Sequence, residues 1–117
     1  MKNGVSQAFS IIDPHVHFWR LNTGFNTWLQ EGANLFLGDY RAMVKDHGPS
    51  EFEHNARPYV ITQCVHIEAE ATVYAKAEAD WLEDLAQKTP LIGAIVGGVD
   101  FLAHDCEALL EHYAILP

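Results

Sequence analysis

The chain has 117 residues, 49% of them apolar, and a formal net charge of −9 at pH 7. This length supports one domain with a core but falls short of the roughly 250 residues of a complete (β/α)8 barrel. The acidic balance argues against nucleic acid as a partner, because phosphate backbones are bound by clusters of lysine and arginine. The sequence has neither a signal-peptide pattern nor an apolar run of about 18 residues, so we expect a cytoplasmic protein without membrane contact.

The first predicted strand runs from Phe9 to His15 and leads into the sequence PHVHFW. Side chains alternate faces along a strand, so we expect His15 and His17 on one face, and Ile12 and Val16 on the other. Two imidazoles side by side at the end of a buried strand can both reach one cation, and neutral imidazole suits zinc, iron, nickel or copper. The alternative is a pair of exposed histidines near a strand end.

Residues 18–38 are too aromatic for a linker and too interrupted by glycine for a regular helix, which predicts a long loop after the first strand. Two roles are open for its tryptophans. In one, Trp19 and Trp28 face a pocket as part of a lid or substrate wall. In the other, these aromatic side chains anchor the loop to the body of the domain.

Two short helices are predicted before the second strand. The first runs from Tyr40 to about Asp46 with Asp39 as its N-cap. The second follows Ser50 and ends before Pro58. The histidines of this region are expected in solvent: His47 and His54.

The second strand is predicted from Tyr59 to Ile67, with a nearly continuous apolar run that is typical of a strand buried on both faces. Alternation assigns one set of side chains to the face that carries the site: Thr62, Cys64, His66 and Glu68. The other set would pack on helices: Ile61, Val65 and Ile67. His66 and Glu68 then lie at the same sheet end as the histidine pair and are candidates for a site, unless they pair with each other and orient the loop.

The clearest helix covers residues 72–88, with Thr72 as its N-cap. Its apolar stripe is formed by five residues: Val73, Ala77, Trp81, Leu82 and Leu85. We expect Trp81 in the core. The acidic residues of this helix, Glu78 among them, are expected on a solvated face.

A third apolar strand from Leu91 to Val99 and a last helix beginning near Asp105 complete the pattern. Asp100 follows this strand, where we expect it to cap or support the next loop rather than to form a site. Both cysteines fall in predicted strand or helix, which is typical of reduced core thiols rather than of a disulfide: Cys64 and Cys106. The order strand, crossover, strand, helix, strand, helix predicts an α/β fold with a parallel sheet.

Four stretches resemble, in order, the amidohydrolase superfamily, and in particular its "amidohydrolase 2" branch of lactonases and related decarboxylases. They are DPHVHFW at 13–19, NTG and WL at 22–24 and 28–29, VHIEA at 65–69, and IVGGVD at 95–100. The resemblance extends through nearly the whole chain. It implies that residues 1–117 are the N-terminal portion of a TIM-type (β/α)8 barrel, its first three βα units, with the loop 18–38 over the C-terminal face.

The resemblance also implies a hydrolase that opens a lactone, or an ester-like C–O or C–N bond, in a small polar substrate. His15 and His17 would hold a divalent metal, zinc or manganese, or polarise the substrate carbonyl directly where no metal is bound. Trp28, His66 and Glu68 would contact the substrate, for which a sugar-acid lactone is the first expectation. The family takes its other site residues, including the aspartate that serves as general base, from later strands, so the 117-residue chain alone is expected to be inactive.

Two functions of other classes stay open. In the first, the chain is a non-catalytic module whose unpaired outer strands recruit a partner by strand addition, and a homo-oligomer would cover the same edges. In the second, it is a small metal-binding protein with a four-ligand set: His15, His17, His66 and Glu68.

Overall fold

Three parallel strands in the order β1-β2-β3 form a sheet in the computed structural model, which describes residues 9–31 and 36–117. β1 covers Ile11–Val16, β2 covers Ile61–Ile67 and β3 covers Ile92–Val96. Both neighbouring pairs run parallel, and helices separate the strands along the chain. The predicted mixed α/β class with a parallel sheet is thus confirmed.

Four α-helices and three 3-10 turns lie within the described residues. The helices are α1 Thr27–Glu31, α2 Pro49–Ala56, α3 Ala75–Ala86 and α4 Cys106–Ala114, and the turns are Leu21–Thr23, Arg41–Met43 and Thr72–Tyr74. α1 lies inside the segment predicted as an irregular loop, of which residues 32–35 fall outside the described part of the chain. Throughout residues 9–31 and 36–117, no helix combines the length and the apolar character that a membrane crossing needs.

The helix predicted from Tyr40 to Asp46 is wrong, because that segment holds only the 3-10 turn at Arg41–Met43. The residues of this turn are exposed, so a longer helix would bury no apolar face to offset its costly nucleation. Asp39 does not cap a helix either. Its carboxylate accepts hydrogen bonds from the Arg41 backbone N–H at 3.2 Å and from the Arg41 guanidinium at 2.7 Å.

α2 confirms the second short helix and begins at Pro49, two residues before the predicted start. Proline is favoured in a first helical turn, since its missing N–H would have no helical partner there. The Glu51 carboxylate accepts the Gly48 N–H at 3.0 Å and so satisfies a donor at the start of the helix. The helix ends at Ala56, before Pro58 as predicted.

The core lies between one face of the sheet and α3. Its buried members come from all three strands and from this helix: Val16, Phe18, Cys64, Leu82, Leu91 and Ile92. Trp81 packs against this cluster while staying partly exposed, in line with its predicted place. Full burial of a side chain such as Leu82 contributes about 1.5–3 kcal/mol, so α3 adds apolar stabilisation to the sheet.

The buried face of α3 differs from the predicted stripe. Its buried residues are Ala75, Glu78, Ala79 and Leu82. Val73 is 87% exposed, and Thr72 lies in a 3-10 turn with a φ of 50° instead of capping the helix. Leu82 of the predicted stripe is buried, and Trp81 and Leu85 pack against the core as predicted.

The face assignment of β2 is wrong from Cys64 onward, whereas Ile61 packs against the core as predicted. Cys64 and His66 are fully buried on the side that α3 covers, whereas Val65 and Ile67 lie on the opposite, uncovered side. The buried set holds Cys64 and His66 and the uncovered set holds Val65 and Ile67, so side-chain polarity along this strand indicates the wrong face, and the position of α3 decides which face is buried. We call the uncovered side of the sheet the open face.

A bulge in β1 changes the predicted alternation there as well. Between Asp13 and Val16, β1 takes three steps where β2 takes two. Pro14, which cannot donate a ladder hydrogen bond, lies inside this irregularity. As a result Val16 is buried in the core, while Ile12 lies on the open face and is 59% exposed, although the pattern placed both on one side.

The segment between β3 and α4 is held by its own side chains. The Asp100 carboxylate accepts the Leu102 N–H at 2.9 Å, which confirms the predicted supporting role for Asp100 in this loop. Asp105 occupies the N-cap position of α4 as predicted, but its side chain makes no capping hydrogen bond. β3 is shorter than predicted and ends at Val96.

Candidate functional site

His15 and His17 lie together at the carboxyl end of β1. Their ring centroids are 5.0 Å apart in an edge-to-face arrangement, and both side chains are exposed. The Asp13 carboxylate accepts the His15 backbone N–H at 3.0 Å and fixes the bulge that carries this histidine. The spacing-based prediction that the two imidazoles are neighbours is therefore confirmed.

A backbone carbonyl sets the protonation of His17. Its Nδ1 lies 2.8 Å from the Ile67 carbonyl oxygen at the end of β2. A carbonyl only accepts, so Nδ1 carries the proton and Nε2 of the neutral ring keeps its lone pair. Metal-binding histidines commonly use one ring nitrogen in this way while the other ligates.

His66 does not share the face of this pair. It is fully buried, and its Nδ1 accepts the Phe18 N–H at 3.0 Å. The ring stacks on Phe18 with centroids 6.1 Å apart and lies 6.4 Å from the His17 ring. Its Nε2 is 3.7 Å from the Glu78 carboxylate and makes no hydrogen bond within the described residues. The expectation that His66 lines the face opposite the helices is wrong, whereas its predicted place at the same sheet end as His17 is confirmed.

Glu68 lies just beyond β2, next to the end of β3. Its Oε2 accepts the Glu70 N–H at 2.8 Å. The Gly98 backbone approaches so closely that a Cβ on this residue would lie 3.3 Å from the same oxygen. Glu70 and Thr72 have φ values of 52° and 50°, a left-handed conformation that costs free energy for any residue with a Cβ. Glu68 thus holds a strained turn beside the site, and it does not pair with His66 as one alternative required.

The indole N–H groups of the two tryptophans of the long loop bond to backbone carbonyls elsewhere in the domain. The Trp28 indole N–H donates to the Ala69 carbonyl at 3.0 Å, and its ring lies 5.9 Å from that of Trp19. Trp19 is buried and donates to the Lys45 carbonyl at 2.7 Å. His47, expected in solvent, is instead half-buried against the Trp19 ring at 4.9 Å.

Glu78 of α3 and Asn26 of the long loop, which the sequence pattern did not indicate as site residues, both bind Ala69 just after β2. Glu78 is only 3% exposed, and its carboxylate accepts the Ala69 N–H and the Asn26 amide, both at 3.3 Å. The Asn26 amide also donates to the Ala69 carbonyl at 2.7 Å. A helical spacing of 75, 78, 79 and 82 would have indicated that Glu78 shares the core-facing side of α3.

The four-ligand set of the metal-binding alternative is not brought together. Among residues 9–31 and 36–117, no three histidine, cysteine or acidic side chains converge as metal ligands. His15 and His17 remain adjacent and exposed, and the chemistry of two imidazoles fits a divalent transition metal. They would fill two positions of a tetrahedral zinc site, so its other ligands must come from elsewhere.

One curated relative is an uncharacterized protein, y4mH, from Sinorhizobium fredii, which is 33% identical to this chain over 106 residues. The match covers 89% of this chain but only 36% of the relative, so the chain spans about a third of that protein's length. No family model matches the chain, and no solved structure matches it.

Proposed function

We propose that this chain forms the N-terminal part of an amidohydrolase-type hydrolase, with His15 and His17 as metal ligands of its active site. The observation that carries the proposal is the exposed histidine pair at the carboxyl end of β1, with His17 held by the Ile67 carbonyl. In barrels of parallel strands, sites are built at this end of the sheet.

The sheet supports the barrel part of the proposal. Its strands are parallel and follow chain order, and α3 covers one side while the other side stays open. In a closed barrel the open face would become the packed interior and further strands would pair with the free edges of β1 and β3. The relative from Sinorhizobium fredii has the additional length that such strands require.

The bond between His17 and Ile67 favours the metal-dependent form of the reaction. With its proton on Nδ1, neutral His17 has no N–H on Nε2 with which to polarise a substrate carbonyl, but it has a lone pair there for a cation. A divalent metal held by His15 and His17 supplies Lewis acidity toward the carbonyl of a lactone. Zinc and manganese are the first choices.

The remaining predicted residues take supporting parts in this proposal. Trp28 and Glu68 border the carboxyl ends of the strands, where the exposed part of each contributes to the wall that meets a small polar lactone. His66 lies behind the sheet and acts through the backbone instead of touching the substrate. The general base belongs to the later strands of the longer protein.

Zinc binding to the 117-residue chain tests this proposal. In calorimetric titrations we expect zinc uptake by the wild type, at least about tenfold weaker in His15→Ala and in His17→Ala, which corresponds to about 1.4 kcal/mol. His104→Ala, at an exposed histidine before α4, is the matched control and should bind zinc like the wild type. Equal zinc affinity in all four proteins would contradict the proposed site.

A non-catalytic module is the second candidate, and the open face with its free strand edges favours it. In that case, copies of the chain cover each other's edges by strand addition. The zinc titration separates the two, because an association module has no need of the histidine pair.

A further inference from the structure

We propose that His66 and Glu78 are positioning residues that hold His17 with its proton on Nδ1 and its Nε2 open to a ligand. The proposal rests on the proposed function for its effect on metal binding, while the protonation of His17 is a property of the chain itself. Neither residue touches the open face, and both act from behind the sheet.

The first contact fixes the backbone next to His17. The Phe18 N–H belongs to the peptide unit that joins His17 to Phe18, and it donates to Nδ1 of His66 at 3.0 Å. This donor is buried, so leaving it without an acceptor would destabilise the backbone at this position. His66 therefore determines where the chain carries the His17 side chain as it leaves β1.

The second contact orients His66 itself. Since its Nδ1 accepts, the proton of the neutral ring is on Nε2, which faces the Glu78 carboxylate at 3.7 Å. Glu78 is surrounded by donors: this N–H, the Ala69 N–H and the Asn26 amide. The carboxylate accepts hydrogen bonds from the Ala69 N–H and the Asn26 amide, whereas the His66 Nε2–H faces it at 3.7 Å without a hydrogen bond, so the contact with His66 is electrostatic.

The third contact fixes the acceptor of His17. The Glu78 carboxylate accepts the N–H of Ala69, two residues after Ile67, and the Ile67 carbonyl accepts the hydrogen bond from His17 Nδ1. His66 and Glu78 thus hold the backbone next to both partners of the His17–Ile67 hydrogen bond. His66 binds Phe18 just after β1, and Glu78 binds Ala69 just after β2. Outer partners of this kind typically change metal affinity by about 10- to 100-fold.

The test uses imidazole nitrogen–proton correlation spectra of the full chain in mildly alkaline buffer, where imidazole is neutral. In the wild type we expect the proton of His17 on Nδ1 and that of His66 on Nε2. The opposite assignment for either ring would overturn the proposal without any variant, so the test does not depend on a mutant that folds.

Two pairs of variants then isolate the positioning effect. In Glu78→Gln the side-chain amide places an N–H donor among the donors around residue 78. We therefore expect the neutral His17 ring to populate both tautomers, with the proton on Nδ1 or on Nε2. Glu83→Gln makes the same chemical change elsewhere on α3 and should leave the spectrum unchanged. His66→Phe keeps the ring and removes the acceptor, while His66→Asn offers an amide oxygen near the place of Nδ1 and should partly restore the wild-type state of His17.

Zinc titrations of the same proteins separate this proposal from the proposed function. We expect the dissociation constant to rise about 10- to 100-fold in Glu78→Gln and to stay unchanged in Glu83→Gln. If the wild type binds no zinc, the metal site fails while the spectra still decide the positioning. If folded Glu78→Gln and His66→Phe keep His17 fully in the Nδ1–H state, the positioning role is wrong.

Discussion

At the scale of single residues, burial separates the two cysteines. Cys64 is fully buried, and desolvation together with the neighbouring Asp13 carboxylate raises the pKa of its thiol to about 11. Cys106 is only half-buried at the start of α4. Because the thiolate is the reactive form, the two thiols should differ strongly in reactivity.

Thiol counting with a colorimetric disulfide reagent checks this prediction. We expect one thiol to react quickly in the native protein and both to react in denaturant. Cys106→Ser should remove the fast reaction and leave the slow one. Two thiols that react at one common rate in the native state would mean that Cys64 is not protected by the core.

The residue scale also shows how far a pattern predicts a site. The adjacency of His15 and His17 followed from spacing alone, because it depends only on the local strand. The side of the sheet on which His66 lies depends on which face α3 covers, and the polarity of the alternating side chains of β2 indicates the opposite face. Glu78 was missed because an acidic residue is expected in solvent unless its partners are known, and these partners are distant in sequence.

At the scale of elements, an ion pair joins the end of β1 to the start of α2. Arg20 Nη1 lies 2.7 Å from Glu51 Oε1, and Glu51 also accepts the Gly48 N–H. The hydrogen bond from Arg20 is the main reason that the pKa of Glu51 falls from 4.5 to about 2. The charged carboxylate thus stabilises the fold at pH values above about 4.5, and that contribution is lost as the pH falls toward about 2.

The free energy of unfolding, followed by urea denaturation across this acid range, tests the role of the pair. The wild type should lose more stability between pH 4.5 and 2 than Glu51→Gln, which has no carboxylate to protonate. Glu53→Gln, at an exposed position of α2, is the control and should follow the wild type. Parallel curves for wild type and Glu51→Gln would show that the pair contributes no pH-dependent stability.

Element order was predictable and element faces were not. Three strands and the helices α2, α3 and α4 followed from apolar runs, breakers and spacing, which are local signals. The absence of a helix at 40–46 and the choice of the side of α3 that is buried depend on the surface against which each segment packs. Such tertiary choices override weak local preferences.

At the scale of the whole molecule, the described structure is an open layer. The Cα radius of gyration is 16.7 Å, compared with about 13 Å for a compact domain of 100 residues. A cleft of about 680 Å3 lies beside the β3 edge, between α3 and the Tyr113 ring of α4. Apolar side chains of the open face meet solvent on both outer strands, since Ile12 is 59% and Val96 is 47% exposed.

An open face of this kind predicts that copies of the isolated 117-residue chain associate. Sedimentation should show species heavier than the 13.1 kDa monomer, and added salt should favour them because it screens the repulsion between chains of net charge −9. Val96→Lys puts a charge on the open face of β3 and should shift the chain to monomer. Val73→Lys, at a position 87% exposed in the turn before α3, should associate like the wild type. A wild type that sediments as a monomer at all salt concentrations would contradict coverage by copies and would favour the proposed barrel, in which further strands cover both edges.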